Sequence, residues 1–87
     1  MKIIKIGAIW GPGCLVMKKV WKNIITNYPE LDITEYDLDM DKEEVVKYNP
    51  GKTLPIIIFL DEDGLELERI IGEVKEEELI ERINKYK

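Results

Sequence analysis

Ile56-Ile57-Ile58-Phe59-Leu60 is an unbroken apolar run closed off by Pro55 and by Asp61. A run of that length with three β-branched residues is a strand. Because it is apolar at both parities, both of its faces must be covered, which makes it a central strand. The chain must therefore supply cover for two sides of a sheet from 87 residues, of which 45% are apolar and 36% charged. That composition is globular, neither disordered nor membranous. A chain of this length is expected to form one domain, spanning 1–87, with one core and little reserve.

The remaining elements follow from periodicity. Lys2 to Ile9 is rich in isoleucine and is expected to be a buried strand. Trp10-Gly11-Pro12-Gly13 is a loop, and a helix is expected from Cys14. Met17, Val20, Trp21, Ile24 and Tyr28 recur at three- and four-residue steps on one face, with Lys18, Lys19 and Lys22 on the other. On that stripe Trp21 is a core residue. Pro29 ends the helix, since the residue before proline avoids the helical region. Leu31 to Leu38 is a second strand of imperfect alternation. Asp41 with Glu44 is a capping-box pattern opening a short helix to about Tyr48, stopped by Asn49-Pro50-Gly51. Asp61-Glu62-Asp63-Gly64 is a hairpin turn, Leu65 to Ile71 a fourth strand ended by Gly72, and about Lys75 to Tyr86 a last helix with Leu79, Ile80 and Ile83 inward. The order is β-α-β-α-β-β-α. A crossover between parallel strands comes first and a hairpin last, giving a four-stranded mixed sheet with helices on both faces.

Charge and residue types exclude several functions. The net charge of −5 argues against nucleic acid, although residues 1–28 carry Lys2, Lys5, Lys18, Lys19 and Lys22 and no acid. One cysteine, Cys14, and no histidine leave no internal disulfide, no zinc or iron–sulfur ligand set and no histidine-dependent nucleophile. No cofactor is expected. No apolar run approaches the ~20 residues of a membrane span. The N-terminal segment is too short and charged for a signal peptide, so the cytoplasm is the expected address. The Gly11 to Lys19 segment lacks the phosphate-loop pattern, and Asp37, Asp39 and Asp41 lack the glycine and distal Glu of an EF-hand.

The element order, with an aromatic-led Pro/Gly loop opening the first long helix, resembles the thioredoxin superfamily over nearly the whole chain. It lacks the extra N-terminal strand and helix of full thioredoxins and is closer in size to a glutaredoxin. Ala8-Ile9-Trp10-Gly11-Pro12-Gly13-Cys14 resembles the family's Ala-x-Trp-Cys-x-x-Cys. Thr53-Leu54-Pro55 resembles the segment holding its cis-proline. Asp63-Gly64 matches its hairpin turn, and Gly72 the glycine near its substrate groove. The resemblance implies thiol-disulfide exchange with a protein disulfide or thiol, a monomer, and glutathione or a reductase as partner.

Two positions depart from the family. Its first, nucleophilic cysteine falls at Gly11, so Cys14 occupies the resolving position and two-cysteine exchange is excluded. Three readings of Cys14 stand open: an inert packing residue, a monothiol in the first turn where helix amides favour a thiolate, or the remnant of a pair whose first cysteine was replaced. The second departure is Lys5, at the place of a buried acid beneath the resolving cysteine. A lysine buried beside a thiol favours the thiolate or loses its own proton; alternatively, Lys5 points off the strand end and snorkels to water. Asp39 aligns near another family acid, but a loop cap is its ordinary role. In the family, the backbone before the proline pairs with an extended substrate, a surface that needs no cysteine. Trp10, Pro12, Gly13, Leu54, Pro55 and Gly72 would line it. The competing function is therefore a non-catalytic module that binds an extended peptide in that groove.

Overall fold

The computed structural model describes residues 1–87. Its elements are β1 (Lys2–Gly7), α1 (Pro12–Asn27), β2 (Asp32–Asp37), α2 (Lys42–Val46), β3 (Ile56–Leu60), β4 (Glu66–Ile71) and α3 (Glu76–Tyr86). The four strands form one sheet in the order β2-β1-β3-β4. β1 and β2 are parallel, whereas β1 with β3 and β3 with β4 are antiparallel. The architecture expected from the sequence is thus the one observed.

β3 is buried along its whole length. Alternation splits it between two cores. Ile57 and Phe59 join Ile3, Met17, Trp21, Ile24, Leu79 and Ile83, the core beneath α1 and α3. Ile56, Ile58 and Leu60 join Ile4, Ile6 and Val45, the core beneath α2. Each fully buried aliphatic or aromatic side chain contributes about 1.5–3 kcal/mol, so a five-residue strand packed on both faces anchors the sheet. The loose alternation of β2 has the same origin: Ile33 packs into the first core, and Tyr36 into the second.

Several boundaries differ from those expected, each for a local reason. β1 stops at Gly7, because Gly11 donates its N–H to the Ala8 carbonyl at 3.1 Å and closes a turn over Ile9-Trp10. The first helix starts at Pro12 rather than Cys14. Gly11 is its extended N-cap, and proline at the first helical position has a suitable φ and no N–H to leave unpaired. The expected capping box at Asp41 does not form. Asp41 precedes α2, but its carboxylate accepts the Asp37 N–H at 2.8 Å and makes no bond to its own helix. α2 itself ends at Val46; Tyr48 and Asn49 follow as tighter turns, and Asn49 ends the segment at φ +49°. β4 begins at Glu66 because the Leu65 N–H is taken by the Asp61 carboxylate, which also accepts from Asp63. Gly64, at φ +85°, completes that turn.

Candidate functional site

The site is built where the C-terminal end of β1, the start of α1, the start of β3 and the end of β4 meet. Cys14 is in the first turn of α1, partly buried. Its Sγ accepts the Ala8 N–H at 3.5 Å. Gly7 makes room for the sulfur, since a Cβ on Gly7 would lie 3.0 Å from it. Gly11 is itself buried. A Cβ at that position would lie 3.1 Å from Cys14 Sγ and 3.7 Å from Cys14 Cβ. The second distance falls within the roughly 3.5–4.5 Å that separates the Cβ atoms of a disulfide.

The helix start rests directly on the segment before β3. A Cβ on Gly13 would be 3.0 Å from the Leu54 carbonyl oxygen, 3.1 Å from Pro55 Cδ and 3.3 Å from Glu73 Cγ. The Leu54–Pro55 peptide bond is cis, and Pro55 is buried. Gly72, at φ +90°, donates its N–H to the Pro55 carbonyl at 2.8 Å. Gly11, Gly13, Cys14, Leu54, Pro55 and Gly72 are thereby brought to one end of the sheet, and Pro12 is exposed beside them. Trp10 is 62% exposed, and its Nε1 donates to the Asp39 carboxylate at 2.6 Å. The loop-cap role expected of Asp39 belongs instead to Asp37, whose carboxylate accepts the N–H groups of Asp39 and Met40. Asp39 fixes the indole.

Lys5 does not reach free into water. Its side chain is 15% exposed, its Nζ pairs with Glu35 at 2.7 Å, and the ammonium sits 4.5 Å from the centre of the Trp21 ring. Lys5 and Cys14 line the same cavity between β1 and α1. Trp21 is in the core, as its place on the helix stripe requires. Sequence reasoning missed Gly7 and the bond from the Ala8 N–H to the sulfur. A backbone N–H donor carries no residue signature, and the need for glycine at position 7 shows only when the sulfur is in place. No cluster of side chains suited to a metal ion is present. No helix is long and apolar enough to cross a membrane.

Neither the protein-family models nor the curated proteins include a match to this sequence. Solved structures do match. The thioredoxin of Fasciola hepatica superposes with a TM-score of 0.83 at 26% identity, over 99% of this chain and 82% of that one. The chain has a thioredoxin-like fold. Thioredoxin 1 of Thermosipho africanus gives 0.82 at 24% identity, over 99% and 93% of the two chains. A poplar thioredoxin h gives 0.81 at 26%, over 97% and 75%.

Proposed function

We propose that this chain is a thioredoxin-like thiol redox protein whose own chemistry is confined to a single thiol, Cys14. The observation that carries the reading is the geometry at position 11, where a Cβ would stand 3.7 Å from Cys14 Cβ. That spacing supports reading positions 11 and 14 as a two-sulfur site with one sulfur absent. The close approach of Gly13 to Leu54–Pro55, beside an exposed indole, supplies a surface for an extended protein segment next to that thiol.

The chemistry open to Cys14 is one exchange. Its thiolate attacks a partner disulfide R–S–S–R′, forms Cys14–S–S–R and expels R′–S⁻, which takes up a proton. Gly11 carries no thiol to resolve the adduct. An external thiol, with glutathione the simplest, must attack it, leave Cys14 reduced and carry away the R–S group. A cytoplasmic setting, where glutathione keeps thiols reduced, suits this cycle. Lys5 lines the same cavity as Cys14, with its charge taken up by Glu35.

A second reading is favoured by the exposed apolar residues at this end: Ile9 at 84%, Trp10 at 62% and Ile71 at 58% exposed. On that reading, the groove beside Leu54–Pro55 binds an extended peptide without exchange. Intact-mass measurement after incubation with glutathione disulfide separates the two. The redox reading expects one glutathionyl adduct on Cys14, removed by dithiothreitol and absent in Cys14→Ser. An unmodified chain under the same conditions would leave only the binding module.

A further inference from the structure

Behind the thiol, between α1 and the β1–β2 side of the sheet, lies a groove of about 550 Å³. That is within the roughly 300–1,000 Å³ of small-molecule sites. Beneath it lie the core residues Met17, Trp21 and Ile57, with the Lys5–Glu35 pair set over the Trp21 ring. Its wall is α1, which turns Leu15 and Ile25 toward it although they are 57% and 52% exposed. These two side chains belong to neither core.

The charges around the groove are not balanced. Two acids line it: Glu35 pairs with Lys5, while Asp37 accepts two backbone N–H groups on one oxygen and keeps its charge, so the three lysines of the lining exceed its acids by one. Two further cations line it, Lys18 and Lys22, one helical turn apart on α1, and neither takes part in any ion pair of the structure. α1 contains no acid to neutralise them. An apolar trough with an unpaired pair of ammonium groups along its wall is complementary to a molecule with an apolar body and one anionic head.

We infer that this groove binds a small amphipathic monoanion, an aliphatic carboxylate, with its chain on the exposed side chains of Leu15 and Ile25 and its head group at Lys18 and Lys22. The assignment does not depend on redox activity at Cys14 and goes beyond it. Because Cys14 lines the same groove, an occupant also covers one side of the thiol.

The probe is decanoate, added to the whole ¹⁵N-labelled protein at neutral pH and followed by amide chemical shifts. The expected result is a saturable shift centred on residues 5–9, 14–26 and 35–37, with slower alkylation of Cys14 by iodoacetamide in the bound form. Decyltrimethylammonium, of equal chain length and opposite charge, is expected not to produce it. The double variant Lys18→Gln/Lys22→Gln is expected to bind decanoate about threefold to tenfold more weakly, the effect of two exposed ion pairs. Lys18→Arg/Lys22→Arg should retain binding. Lys18 and Lys22 are both exposed, so these variants are expected to keep the fold. Equal binding of the cationic probe, or unchanged affinity in the glutamine variant, would overturn the assignment. So would shifts centred on Leu54, Pro55 and Gly72 instead. Shifts of the groove residues on diluting the protein alone would assign the groove to a second copy and overturn it equally.

Discussion

Gly13 marks the closest approach of helix and proline segment, and its missing side chain lets the two touch. A valine there would bring its Cβ to 3.0 Å from a backbone oxygen and 3.1 Å from a proline ring. Neither neighbour is the flexible end of a side chain, so relief requires the two segments to separate by a few tenths of an ångström. Gly13→Val is expected to cost about 1–3 kcal/mol, the usual range for overpacking, measured by urea unfolding. An unchanged midpoint would show that the helix start and the proline segment are not in contact. At this scale the sequence was legible where residue type carries the role. Cys14 is the sole thiol, Trp10 leads the loop, and Pro55 precedes an apolar strand. It was not legible where a role belongs to the backbone or to a missing side chain: the Ala8 N–H on the sulfur and the space above Gly7 that the sulfur fills.

Elements were predictable to the extent that burial decides them. β3 had to be central because no face of it is polar, and the α1 stripe had to be inward for the same reason. Helix starts were less legible, because one side chain can serve alternative partners. Asp41 has the residue type and spacing of a cap, yet Asp37 N–H is the donor it takes. β4 and α3 are joined by a network that the sequence did not reveal. Glu68 on β4 accepts hydrogen bonds from Tyr86 and from Arg82 of α3, the latter at 2.6 Å. These bonds, that from Tyr86 first, lower the Glu68 pKa below its ordinary value of 4.5. A carboxylate whose folded pKa is depressed stabilises the fold above its unfolded-state value, and that stability is lost as the pH falls through the folded-state value. The urea midpoint is therefore expected to fall below about pH 4.5, and Glu68→Gln to flatten that part of the profile. A variant whose acid limb matched the parent's would remove Glu68 from this role.

At the scale of the molecule, the sheet order β2-β1-β3-β4 gathers the site from segments far apart in sequence. The ends of β1 and β4 and the start of β3 lie side by side. Residues 7–14, 54–55 and 72 therefore converge with no long loop to position them. This convergence was legible through the resemblance of the ordered motifs to the thioredoxin superfamily, and it is the fold the solved structures share. The groove behind Cys14 was not legible. It depends on how α1 sits over the β1–β2 side of the sheet, where side chains separated by thirty residues, such as Lys5 and Glu35, meet.

If positions 11 and 14 form a two-sulfur site with one sulfur missing, restoring the sulfur must restore the pair. The Gly11→Cys variant is analysed by mass spectrometry for an internal disulfide and assayed for insulin reduction with dithiothreitol. The expected result is a reducible bond between the introduced thiol and Cys14, with turnover above that of the parent chain and of Gly11→Cys/Cys14→Ser. Two free thiols that do not pair under oxidising conditions, in a variant that still folds, would contradict it.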